Sequence, residues 1–261
     1  MRAVAQRVAD ALPVDEVALT GSVSRGVADD VSDIELLVVP TEQLSVDECF
    51  TLVAAAGLTG LDTWGNPSTP SRRVSGYLDG VPVETIWWHR ALAEEQLAAP
   101  TQATGDALVN AIPLRTRGLL AEWQERLRHY PEELVAVRCE EAAERWGGFT
   151  PAGLLTILRP GDRLQLAEWL VDAANRVHAI VYALNRSWQP TTKRLAVRLE
   201  ALAVKPERMA ERIEAALGEQ DPSRALRVMT KLQLEAVHLA PDGPNVDRAR
   251  RWLAEALEIL A

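Results

Sequence analysis

Three carboxylates and one Gly-Ser pair are the residues whose types and spacing could do chemistry. In LTGSVSRGVADDVSDIELLVV (19–39) an apolar run stops at Gly21-Ser22, and about ten residues later Asp33-Ile34-Glu35 opens a second apolar run. On a strand, residues two apart point to one face, so Asp33 and Glu35 project together while Ile34 and Leu36 face a core. Two like charges held this close repel unless something neutralises them. A divalent metal does so, and carboxylates that hold Mg2+ together with substrate phosphates are a common arrangement. Gly21 permits close backbone approach. Ser22, at the start of a short helix, offers a hydroxyl and a backbone N–H to a phosphate. A third carboxylate, Glu84, sits in GVPVETIWW between Val83 and Thr85, where a charge is costly to bury without a partner. If its strand lies beside that of Asp33, the three carboxylates meet on one face. Such a triad suits two-metal phosphoryl or nucleotidyl transfer, in which metals clamp the triphosphate and a carboxylate takes the proton of the acceptor hydroxyl. Glu84 is the candidate base and a candidate metal ligand with Asp33 and Glu35.

The elements that must position these groups are short. The pattern predicts a helix over 1–12 ended by Pro13, a strand over 16–20, a turn or short helix over 23–32, and a strand over 33–39 stopped by Pro40. It predicts a helix over 42–56 starting near Thr41. Residues 59–71, with Gly60, Gly65, Pro67 and Pro70, read as a loop, and 72–88 as a hairpin turning at Asp79-Gly80. From residue 107 the spacing becomes helical, with about seven helices punctuated by Pro and Gly and no internal repeat. The expected fold class is α+β: a small mixed-sheet domain over 1–108, then an all-α helical-bundle domain over 109–261.

Charge is uneven along the 261 residues, whose formal net charge is −9. Residues 1–110 hold 6 Arg, no Lys and 16 acids, a net of −10, whereas 111–261 hold 22 Lys+Arg and 21 acids, a net of +1. Two readings are open: drift in surface composition, or a field that attracts metal ions or a cationic substrate. Neither part has the basic stripe of a duplex nucleic-acid binder, so no nucleic-acid partner is expected. No apolar run reaches the roughly 18 residues of a membrane span, and no membrane partner is expected. The charged N-terminus does not read as a secretory signal. Cys49 and Cys139 are too few for a disulfide framework or zinc cluster, so a reducing cytoplasm is the expected location. Monomer and homodimer both fit.

The motif around Gly21, Ser22, Asp33, Glu35 and Glu84 resembles that of the DNA polymerase β-like nucleotidyltransferase superfamily. GSVSRGVADDVSDIELLVV is similar in form to the small antibiotic nucleotidyltransferases, which attach AMP to aminoglycosides or lincosamides. The motif resemblance covers residues 16–88, about a quarter of the chain. A sheet domain followed by helices resembles the streptomycin/spectinomycin adenylyltransferases, and ALNRSWQPTTKRL (183–195) is similar to their Asn-containing, Lys-ending segment near the nucleotide. What the resemblance implies is a Mg2+-dependent enzyme, with two ions, that moves AMP from ATP to a hydroxyl of a small molecule and releases pyrophosphate; the high Arg-to-Lys ratio and Ala-rich helices fit a GC-rich bacterial genome. The acceptor is an aminoglycoside- or lincosamide-like antibiotic or a biosynthetic intermediate, and a cationic one fits the acidic first part. The second carboxylate is Glu35 where Asp is more usual, which displaces the metal by roughly one methylene. Two alternatives stand beside this reading. One is a protein-adenylylating antitoxin-type relative. The helical half, however, lacks the Arg and His, four to six residues apart, of its partner toxins. The other is a nucleotide-binding relative without catalysis.

Other residues carry two readings each. Arg25 is a phosphate contact or a surface partner of Asp29 or Asp30. Lys193, one of three lysines, is a triphosphate contact or an exposed helix lysine. Trp169, Asp172 and Arg176 share one helix face, where Asp172 meets an acceptor amine or is simply solvated. His89 follows Trp87-Trp88 near the end of the Glu84 strand and borders the site or does not. The eight tryptophans mostly pack helices, with one or two free to stack on adenine or a sugar.

Overall fold

The computed structural model describes residues 1–63, 71–144, 151–159, 163–191 and 193–261. The chain divides into two compact units, Met1–His129 and Tyr130–Ala261. The first contains α1 (Arg2–Ala11), β1 (Val17–Thr20), α2 (Gly21–Ser24), β2 (Ile34–Val38), α3 (Val46–Ala55), β3 (Thr59–Thr63), β4 (Arg72–Leu78), β5 (Val81–Trp87), α4 (Arg90–Ala98), α5 (Gln102–Val109), β6 (Ile112–Arg115) and α6 (Leu119–Arg128). Its six strands form one sheet in the order β3-β4-β5-β2-β1-β6. Only the β2–β5 pair is parallel.

Strand alternation decides which side is core. Leu19, Ile34, Leu36, Val38, Val74, Val83 and Trp87 point to one face and pack with Ala5 and Val8 of α1, with Leu12 just after it, and with Cys49 and Val53 of α3. Thr85 belongs to the same face; fully buried, it donates its hydroxyl to the Val74 carbonyl at 2.9 Å and accepts from the Trp87 indole at 2.9 Å. The β4–β5 hairpin turns at Asp79-Gly80, both at positive φ (54° and 77°), as a two-residue turn requires. That turn fixes the register Leu78↔Val81 through Arg72↔Trp87.

Three differences from expectation concern the first unit. The helix expected from Thr41 starts at Val46, where Ser45 and Glu48 form a reciprocal capping box. The expected loop 59–71 opens with β3, antiparallel to β4; its residues 64–70, including Trp64, Gly65, Pro67 and Pro70, lie outside the described residues. The boundary expected at 108/109 falls instead at 129/130. Ile112–Arg115 is a strand paired with β1, and α6 follows it within the same unit.

The second unit contains α7 (Glu132–Glu144), a 3-10 stretch (Pro151–Leu158), α8 (Arg163–Leu184), α9 (Leu195–Glu200), α10 (Met209–Gly218), α11 (Pro222–Leu239) and α12 (Pro244–Ile259). Among the described residues, its six α-helices together with α6 match the seven expected helices, and the 3-10 stretch is additional. Leu170, Val177, Ile180 and Val181 of α8 pack in one core with Leu226, Met229, Leu232 and Val237 of α11. Among the described residues, no helix is long and apolar enough to cross a membrane.

Candidate active site

The sheet face opposite the core carries a row of polar residues across five strands. Thr20 pairs in register with Glu35, Glu35 with Glu84, Glu84 with Ser75, and Ser75 with Asp62. The carboxylates of β2 and β5 are therefore directly adjacent, on strands roughly 4.8 Å apart. Asp33 stands one residue before β2, half-buried like Glu35, while Ile34 and Leu36 are fully buried on the other face. The Glu84 side chain is 13 % exposed. Burial pushes its carboxyl above the usual range, the Arg73 guanidinium offsets part of this, and the charges of Glu35 and Asp33 push it further up. The last two influences place all three acids in one electrostatic neighbourhood.

Arg73 joins this row, although the motif and its spacing do not single it out. Its Nη1 donates to Glu84 Oε1 at 3.1 Å. A signal existed in the hairpin: a two-residue turn at 79–80 pairs Ser75 with Glu84, which sets Arg73 diagonally across from the carboxylate on the same face.

The Gly-Ser turn closes the row at β1. Gly21 has φ +70°, and a Cβ added there would lie 2.7 Å from the Glu35 carboxyl carbon and Oε1. The Glu35 head thus rests on the Gly21 backbone, which only glycine allows. Ser22 is half-buried in the four-residue α2, and among the described residues its hydroxyl makes no hydrogen bond. Arg25 pairs with Asp106 of α5. Its guanidinium bonds Asp106 Oδ2 at 2.5 Å and the Gly21 carbonyl at 2.7 Å, which ties the turn to α5. That pair is 16 % and 13 % exposed.

The remaining candidates belong to other elements. His89 caps α4 beyond the end of β5, five residues or roughly 16 Å of strand from Glu84, and does not border the carboxylates. Lys193 and Asp172 belong to the second unit. Lys193 is exposed just before α9. Asp172 pairs with Arg176 one turn on. It lines a cavity of about 550 Å3 with Gly153, Thr156, Ile157, Gln165, Glu168 and Trp169. Asn185, in the segment similar to a nucleotide-binding stretch, accepts from the backbone of Ala203 and Val204 and donates to the carbonyls of Val181 and Val204. Its role there is to hold a loop. A cavity of about 660 Å3 in the first unit lies at the opposite end of the strands, between Val14, Glu16, Val39, Pro40 and Leu119, and includes none of the carboxylate row. Cys49 and Cys139 are buried, and burial pushes their thiols up to about 11, which excludes a thiolate nucleophile at neutral pH.

Three carboxylates are hard oxygen donors and suit Mg2+ in type. As the side chains stand, no three His, Cys, Asp or Glu residues among those described gather closely enough to hold an ion. Glu84 is engaged by Arg73 and Glu35 lies back against Gly21.

Residues 96–195 match a family model described as a domain of unknown function (DUF4037), less than half of the chain. No curated protein matches the chain. Among solved structures the chain is similar to a nucleotidyltransferase-like protein from Exiguobacterium sibiricum 255-15. The two are 15% identical, with 95% of this chain and 85% of that chain covered and a TM-score of 0.33. At that score the likeness is loose, and the reading of the sheet rests on its own register and carboxylates.

Proposed function

We propose that the chain is a Mg2+-dependent nucleotidyltransferase that moves AMP from ATP to a hydroxyl of a small molecule and releases pyrophosphate. The observation that carries this reading is the in-register Glu35–Glu84 pair, with Asp33 beside it, on the sheet face turned away from the core. Asp33, Glu35 and Glu84 would hold the metal, which when bound neutralises the triphosphate and polarises the α-phosphoryl group. Ser22 offers its hydroxyl to the phosphates from the tight turn that Gly21 makes possible. The acceptor oxygen attacks the α-phosphorus, an O–P bond forms as the α–β bridge bond breaks, and pyrophosphate leaves. A Glu84 carboxylate oxygen takes the hydroxyl proton, a role suited to a carboxyl whose proton affinity burial has raised.

A cationic acceptor is the favoured substrate class. It is supported by the net −10 of residues 1–110, whose field favours a cation. The test is to incubate the protein with Mg2+-ATP and a panel of aminoglycosides, lincosamides and neutral sugars, reading pyrophosphate and product mass. An adduct heavier by one AMP on a cationic acceptor is the expected result. No pyrophosphate with any acceptor, at millimolar nucleotide, would sink the reading.

A further inference from the structure

We propose that Arg73 is the resident counter-ion of the carboxylate site: its guanidinium holds Glu84 while no divalent cation is bound, yields it when one binds, and then serves the polyphosphate. This rests on the metal-dependent reading above and adds a residue and an exchange to it.

The argument starts from the hairpin. Register puts Arg73, Ser75 and Glu84 on the sheet face that carries Glu35, and the 3.1 Å contact joins Arg73 Nη1 to Glu84 Oε1. The pair is asymmetric: the guanidinium is 37 % exposed and the carboxylate 13 %. An ion pair with one partly wet partner holds weakly, by roughly a factor of five or less in an equilibrium constant. A divalent cation brings two charges to a face with three carboxylates, where the guanidinium brings one, so the exchange favours the metal.

Displacement leaves the guanidinium anchored on β4, beside the carboxylates. Its planar fork of N–H donors matches phosphate oxygens in geometry and charge. Residues 1–110 hold no lysine and 6 arginines, one of which, Arg25, is committed to Asp106 and the Gly21 carbonyl. A triphosphate at this face therefore meets Arg73 as a cation already at hand.

The test separates this role from a bracing one by the sign of two affinities. Mn2+ binding is followed by electron paramagnetic resonance, and Mg2+-ATP binding by calorimetry, in wild type, Arg73→Gln and Arg73→Lys. Arg73→Gln is expected to bind Mn2+ roughly 2- to 5-fold more tightly and Mg2+-ATP roughly tenfold more weakly. Arg73→Lys, which keeps the charge, is expected to stay near wild type for Mn2+ and to recover part of the nucleotide affinity. A brace would move both affinities of Arg73→Gln in one direction or neither, and either result overturns the proposal. Independently of any variant's folding, 15N guanidinium signals of the wild-type protein should show the Arg73 side chain changing environment as Mg2+ is added. An unmoved signal at saturating metal overturns it too. If neither wild type nor Arg73→Gln binds Mn2+, the metal-dependent reading falls with it; ordinary Mn2+ binding with no effect of Arg73→Gln removes the Arg73 role alone.

Discussion

At the scale of single residues, the site opposes stability, and that can be measured. Folding raises the Glu84 carboxyl above its ordinary value, so the folded state holds a proton there more tightly than the unfolded chain does. The sign follows: this group favours folding below its unfolded pKa and that contribution is lost as pH rises through the folded pKa. Glu84→Gln is therefore expected to melt at or above wild type at pH 7 without metal, with the gap closing towards pH 4, while transfer falls roughly 10²–10⁴-fold. Thermal melts across pH beside a pyrophosphate assay check both halves, and near-normal turnover would remove Glu84 from the mechanism. Asp33→Ala should abolish transfer with the fold intact. Gly21→Ala puts a methyl onto the Glu35 head at a positive φ, with an expected cost of about 1–2 kcal/mol and loss of activity. The shared face of Asp33 and Glu35 was legible in the sequence because strand alternation has a period of two. The adjacency of Glu35 and Glu84 was not, since a parallel pairing between strands about fifty residues apart leaves no local signal.

At the scale of elements, the turn that carries Gly21 and Ser22 is braced by an ion pair. Arg25 spans from the Gly21 carbonyl to Asp106 of α5, with both side chains largely buried. Removing either partner takes the opposite charge away from a largely buried one. Arg25→Ala and Asp106→Ala are each expected to cost about 3 kcal/mol, and the double variant much less than the sum. A double-mutant cycle by urea unfolding gives the coupling directly, and additive losses would show that the pair does not hold the turn. The two strands that the sequence hid, β3 and β6, are both edges of the sheet. Four of the five residues of β3 are exposed, so it has no alternation to read. β6 contains Pro113, which argues against a central strand and is tolerated at an edge, where one side needs no donor. β6 and α6 therefore fall in the first compact unit, which ends at His129.

At the scale of the whole molecule, the helical unit carries a cost of a different kind. His178, Thr230 and Gln233 are 3%, 0% and 0% exposed within its apolar core. Among the described residues neither ring nitrogen of His178, nor the Thr230 hydroxyl, nor the Gln233 amide has a hydrogen-bond partner. The helical spacing of α8 was legible, but nothing in the sequence marked His178 as enclosed. Burial lowers its pKa from 6.5 to about 4. The imidazole stays neutral in the fold while the unfolded chain takes a proton, so the unfolded state binds more protons between these values and stability falls as pH drops through 6.5 towards 4. The full loss is about 3 kcal/mol. Other groups titrate in the same range, so the informative quantity is the difference between wild type and His178→Leu. The apolar replacement strands no partner, is expected to equal or exceed wild type at pH 7, and should gain on it by about 3 kcal/mol at pH 4. Urea unfolding followed by helical circular dichroism at pH 7, 5.5 and 4 measures that divergence. Parallel curves would mean that the ring is reached by water or finds a partner, and that the core of the second unit is looser than its packing implies.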